Sequence, residues 1–263
     1  MKAPLIYLLS AAVLTSEAGA AAFMLDFGPT DATLPSNSPL HTVTPGTGTT
    51  WNKAGPSEPA ADPAGPFKWS DNTNATGVTV NIGTTADTTS STTLDLAVQP
   101  SRANALGAQF SGGGHIYESG APGRDGIFHL TSNTATGIQV AGLPAGTYEV
   151  YVAGRNTSSN GIYSLNFHAG AGTAGANFDY SGYATKTLSY NGNTAPTAWV
   201  EDSHYVKFTV VLDGVQALNI ASASSARGFL NLVQIVPVPE PSTALLAGIS
   251  LAGLLRRRRI RRP

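Results

Sequence analysis

The stretch GLPAGTYEVYV, residues 142–152, decides the fold class. Its first half, with Pro144 and Gly146, is turn chemistry. From Thr147 onward the side chains alternate, so that Tyr148, Val150 and Val152 share one face. A helix would repeat its apolar positions every three or four residues, whereas a period of two marks a strand with one buried side. The same period recurs along the chain. GVTVNIG aligns Val78, Val80 and Ile82, TLDLAV aligns Leu94, Leu96 and Val98, and YSLNF aligns Tyr163, Leu165 and Phe167. YVKFTVVLDG aligns Val206, Phe208, Val210 and Leu212, and FLNLVQIV closes the series at residues 229–236. Between these runs lie GRDG, LPAG, RNTSSNG and LDG, all rich in residues that tolerate tight turns. The expectation is one all-β domain over residues 21–236, a jelly roll or β-sandwich. Residues 29–66, with several Pro, Gly and Thr, read as a long irregular loop or a loosely packed insertion.

Composition agrees. The 263 residues are 41% hydrophobic but only 12% charged, about half the usual charged share of roughly 25%. Thr, Ser, Gly and Asn fill the difference, which suits short strands and polar turns. The chain has no cysteine, so it has no disulfide, no thiolate nucleophile and no Cys-type zinc site. The net charge of −1 hides a split, with six arginines in the last eight positions. Without the two ends, eight basic and fourteen acidic residues remain. That middle offers no basic stripe for phosphates, so nucleic acid is not an expected partner.

Both ends read as addresses. Lys2, an apolar run from Ala3 to Leu14 and the small residues Ala18, Gly19 and Ala20 have the layout of a secretory signal peptide over residues 1–20. Signal peptidase would cut after Ala20, with Ala22 as the second choice; the alternative is a buried N-terminal helix. At the other end, VPVPEPSTALLAGISLAGLLRRRRIRRP has an apolar run from Ala244 to Leu255. It is shorter than the roughly 20 residues of a comfortable span. Arg256, Arg257, Arg258 and Arg259 follow it and would stay cytoplasmic by the positive-inside rule. The run reads as a marginal stop-transfer segment that holds a precursor in the inner membrane transiently; the alternative is a permanent anchor.

Val238, Pro239, Glu240 and Pro241, then the apolar run, then the arginines, resemble the PEP-CTERM sorting signal of Gram-negative bacteria that make exopolysaccharide. The resemblance covers 237–263. It implies processing near Pro-Glu-Pro by exosortase, a membrane cysteine transpeptidase, and delivery to the cell surface or extracellular matrix, either released or re-anchored. The strand blocks, together with FMLDFG and WSDNTNATGVTVNI, resemble a galactose-binding-like domain. That family implies a sandwich with glycan contact and brings no agreed ligand residues.

Catalytic chemistry is thin. The histidines His41, His115, His129, His168 and His204 are scattered, and no Gly-x-Ser-x-Gly elbow occurs. YESGAPG around Ser119 reads as a loop, and His129 as a strand residue between Phe128 and Leu130. Residues 70–74 (SDNTN) with Asp26 carry hard oxygens suited to a structural Ca2+, but an Asx-rich turn is the commoner use, so no cofactor is expected. Trp51, Trp69, Tyr117 and Trp199 lie among polar residues and are the candidate platforms for polysaccharide. The alternative for each is packing against the domain, as Trp69 does if it meets Phe67. The reading is a secreted structural or carbohydrate-binding protein. Its rival is a carbohydrate-active hydrolase whose carboxylates converge only in three dimensions.

Overall fold

The structure, a computed structural model, describes residues 21–29, 31–55, 57, 59–85, 91–103, 112–129, 134–156, 163–190, 195–224 and 227–239. The signal peptide, Glu240, Pro241, the apolar run and Arg256 to Arg259 lie outside them. The expected alternation becomes two facing sheets. One has the order β12 (Val206–Leu212), β8 (Gly146–Ala153), β15 (Leu232–Pro237), β1 (Phe23–Phe27) and β2 (Asn52–Ala54). The other runs β10 (Phe178–Asp179), β4 (Thr93–Asp95), β3 (Thr79–Thr85), β7 (Ala135–Ala141), β13 (Ala217–Ala223), β9 (Tyr163–Gly172) and β11 (Ala184–Tyr190). A third, small sheet pairs β14 (Phe229–Leu230), β6 (Gly126–Phe128) and β5 (Ser101–Ala103), and its Ile127, Phe229 and Leu230 join the main core. The chain is an all-β sandwich, antiparallel throughout except where β2 runs parallel to β1.

The inner faces supply the main core. Tyr148, Val150 and Val152 meet Val206, Phe208 and Val210 on the first sheet. Val80, Ile82, Ile138, Leu165, Phe167 and Ile220 face them from the second. Each such side chain contributes roughly 1.5–3 kcal/mol by leaving water. TLDLAV departs from expectation after Asp95. The Asp95 carboxylate accepts the Ala97 N–H at 2.8 Å, turning the chain out of the sheet and leaving Val98 exposed.

Both sheets are also covered on their outer faces. All five residues of β1 are buried, because Met24 and Asp26 point into a second layer. Leu40, Ile116, Tyr117, Trp199 and Tyr205 pack there on Met24, Tyr151, Ala153 and Leu232. Residues 29–66 are therefore not an irregular loop. They contain α1 (Pro39–Val43) and β2. Leu40 N–H donates to Gln234 Oε1 at 3.0 Å, and Gln234 Nε2 donates to Ser38 Oγ at 2.9 Å. Asn52 Nδ2 donates to the Met24 and Lys68 carbonyls at 3.0 and 2.8 Å.

The second sheet is covered by residues 173–183. Buried Gln139 donates to the Thr173 and Ala176 carbonyls and to Asn219 Oδ1, and accepts from Gly175 N–H. Asn219 donates to the Tyr183 hydroxyl at 2.8 Å. The Tyr183 ring lies so close over Gly170 that a Cβ there would sit 2.5 Å from Cδ1.

Asp26 is the costly member of the covered face. Burial is the main cause that pushes its carboxyl up to about 8 from 3.8; the Asp125 charge adds to this, while the Gly123 N–H at 3.1 Å and Lys53 oppose it. The unfolded chain loses this proton near pH 4. Between about pH 4 and 8 the folded state therefore binds more protons, and stability falls as pH rises through that window.

Two predictions follow from this packing. Gln139→Leu preserves volume but strands the buried Asn219 Oδ1, at about 1–3 kcal/mol, and frees the part-buried Thr173 and Ala176 carbonyls, so its melting temperature should fall below wild type. An unchanged melt would show that the cover does not depend on the amide. Asp26→Asn should gain stability over wild type progressively from pH 4 to 8, read as paired melts. A gap constant with pH would mean that Asp26 is ionised in the fold.

Candidate functional site

The covering layer over the first sheet carries an open cleft of about 500 Å3, lined by residues 33–37, Gly114, His115, Glu118 and Thr197. Its two main walls are tied together. Leu34 N–H donates to the Gly120 carbonyl at 2.7 Å. Gly120 has φ +83°, and Thr33 Oγ1 occupies the space of a Cβ, so a side chain is excluded there by backbone and neighbour alike. Ile116 N–H donates to the Pro196 carbonyl at 2.9 Å, which attaches the third wall.

Asn37 is the hub. Its Nδ2 donates to the His115 carbonyl at 3.2 Å and to Glu118 Oε1 at 3.4 Å. Its Oδ1 accepts the Trp199 indole N–H at 3.0 Å. Glu118 Oε2 accepts Gly114 N–H at 2.7 Å. The cleft thus presents hydroxyls, an amide, backbone groups and one carboxylate already engaged within its walls.

Three of the four candidate aromatics converge here, as supports rather than surfaces. Trp199 and Tyr117 are buried, 5% and 2% exposed, with ring centroids 5.7 Å apart in a T-shaped pair. Neither offers a free ring face. The Arg155 guanidinium lies 5.5 Å from the Tyr117 centroid. Burial pushes the Tyr117 hydroxyl up to about 12, so it stays protonated. Half-buried Trp51 donates its indole N–H to the Pro35 carbonyl at 2.9 Å. Asn37, the hub, carried no sequence signal beyond its place in a Pro- and Ser-rich stretch.

Trp69 lies elsewhere, packed edge-on against Phe23 at 5.7 Å. With Ala21, residues 144–148, Pro237 and Val238 it lines a mostly apolar groove of about 400 Å3. Val238 N–H donates to the Thr147 carbonyl at 2.8 Å, one residue beyond the last ladder pair, Pro237 with Tyr148. Pro239 borders a neighbouring groove of about 540 Å3 with Ala21, Ala22 and Ser70.

The remaining polar candidates do not gather. Asp71 Oδ1 accepts from the Thr73 N–H and hydroxyl, Ser70 Oγ accepts from Ala22 N–H, and Asp26 faces Gly123. Among the described residues no group of three His, Asp or Glu could hold a metal. His129 follows β6 instead of lying within it. One pairing was not anticipated: Ser38 Oγ lies 2.6 Å from His41 Nδ1, with His41 Nε2 3.2 Å from the Gly48 carbonyl. A carbonyl only accepts, so Nε2 carries the proton and Nδ1 accepts from Ser38. Ser38 is fully buried and lines none of the three clefts, so the pair packs the start of α1, where the Ser38 side chain makes no capping bond.

A family model for the PEP-CTERM protein-sorting motif matches residues 237–259, so the chain carries this motif. No curated protein matches the chain. Among solved structures, a CBM35 from Cellvibrio japonicus Abf62 is 12% identical with a TM-score of 0.31, over 62% of this chain and 95% of that one. A family 35 carbohydrate-binding module from Clostridium thermocellum is 10% identical with a TM-score of 0.29, at the same two coverages. The Podospora anserina GH26-CBM35 beta-(1,4)-mannanase is 12% identical with a TM-score of 0.26, over 62% of this chain and 29% of that one. Likeness at this level assigns no ligand.

Proposed function

We propose that the protein is exported, held transiently by its tail in the inner membrane, cut there by exosortase, and then serves at the cell surface or in the matrix as a polysaccharide-binding module. The sorting motif at 237–259 supports the route. The observation that carries the binding role is the cleft over Asn37 and Glu118. It is open and carries several polar groups, and two of its wall residues are tied from behind, Asn37 by Trp199 and Pro35 by Trp51. Amide and carboxylate groups at fixed spacing suit sugar hydroxyls, which both donate and accept. The aromatics act here by holding Asn37 and Pro35 in place. Binding is favoured over hydrolysis because the two buried carboxylates that interact, Asp26 and Asp125, line none of the three clefts.

The route is tested by expressing Glu240→Ala in the host. The expected result is a membrane-retained precursor, with Ser242→Ala having a smaller effect. A Glu240→Ala product reaching the medium at wild-type size would sink the processing role.

Affinity electrophoresis in gels cast with the host exopolysaccharide tests the cleft. Wild type should be retarded weakly and with little salt dependence, since no counterions are released on neutral sugar. Ser36→Trp fills the cleft from an exposed position and should abolish retardation with an unchanged melt. Trp199→Ala should instead lose about 3–5 kcal/mol of stability. If wild type migrates freely, the protein is a structural matrix component and the binding role is wrong.

A further inference from the structure

The two ends of the domain leave it at one place. β1 begins at Phe23 beside Ile235 of β15, and Ala21 and Val238 line the same apolar groove. The surface around that groove is unusual for a protein so rich in Ser, Thr and Asn. Val215 is 83% exposed, Val211 66% and Val238 38%. Val211 pairs with Thr147 at the groove's edge. The turn bearing Val215 packs against the same rim, because a Cβ on Gly214 would lie 3.1 Å from Ala145 N. The charge on that turn is Asp213, exposed but engaged locally, accepting the N–H groups of Val215 and Gln216 at 2.9 and 2.7 Å. Those bonds hold the Asp213 carboxyl below its usual range.

We propose that this pole, centred on Trp69, Val211, Val215 and Val238, is a bilayer-docking face on which the precursor rests while exosortase acts. The inference rests on the tail-anchored reading above. Chain length supports it. From Pro239 to Ala244, where the apolar run starts, are five Cα steps, which span at most about 17 Å. Headgroups fill roughly 5–8 Å of that distance on each side of a bilayer. The pole is therefore confined to the interface whenever the tail is inserted. An apolar rim with a tryptophan at its base suits that layer, with the lone Asp213 carboxylate held by its own turn at the headgroup level. The cleft over Asn37 shares no lining residue with the groove, so it stays open during docking.

The chain has no cysteine, so single-cysteine variants report position directly. Full-length Val215→Cys and Ser203→Cys carry an environment-sensitive fluorophore and are reconstituted in phosphatidylcholine vesicles with nitroxide-labelled lipid. Ser203 is exposed at the opposite end of β12, more than about 20 Å away. The expected result is blue-shifted emission at 215, mostly lost to lipid nitroxides and unaffected by salt, with 203 unquenched. Equal, water-like emission at both positions in protein that floats with the vesicles overturns docking while leaving the anchor intact. Protein that does not float overturns the anchor and the docking together. A blue shift at 215 that lipid nitroxides leave unquenched, and that grows with protein density, means a second copy covers the face, and the proposal fails.

Discussion

The antiparallel pairing of β1 with β15 is the contact on which the rest depends. It joins positions about 210 residues apart, as the Gln234 Nε2 to Met24 Sδ contact shows. Closing so long a loop costs little more than closing a shorter one, about 0.6 kcal/mol per doubling. The return is large. Phe23, Leu25, Phe27, Val233 and Ile235 enter the inner core, while Met24, Leu232 and Gln234 turn outward to seat α1 and the walls of the cleft. One ladder therefore supports both the sandwich and its cover.

Covering both sheets on two sides restricts which polar groups can lie on their outer faces. The groups under the covers have to be ones that desolvate cheaply. Gln139, Asn219, Asn52, Gln234 and Asn231 fill that need, because a neutral amide with its hydrogen bonds made avoids the penalty of a buried ion. Asp26 shows the cost of the other choice, remaining protonated far above the usual carboxylate range.

The inner face was legible in the sequence because it obeys a local rule. Alternation at 148, 150 and 152, and at 206, 208, 210 and 212, needs no knowledge of the partner strand. The outer face was not legible, since burial of Met24 and Tyr151 depends on segments far away that no period announces. Residues 29–66 looked irregular for the same reason: their order comes from Gln234 and Met24, not from themselves. For the candidate aromatics the sequence left platform and packing both open, and burial shows packing for Trp199 and Tyr117. Polar neighbours in sequence do not reveal that Trp199 and Tyr117 face inward. The sorting motif was readable in full, because an address read by an enzyme has to be linear.

The order of the tail relative to the core sets when it can be removed. The last fully buried core residue is Ile235, Val236 and Pro237 are half-buried, and Val238 makes the final backbone bond to the sheet. Pro239 makes no backbone bond of its own, having no N–H to give. A cut at or beyond Pro239 therefore takes no apolar side chain from either core and no rung from the ladder. Among the described residues the sheet ends at Val238, so a cut beyond Pro239 can follow folding. The cleft, built on the opposite side of the same sheet from the inner core, takes no lining residue from the segment that such a cut would remove.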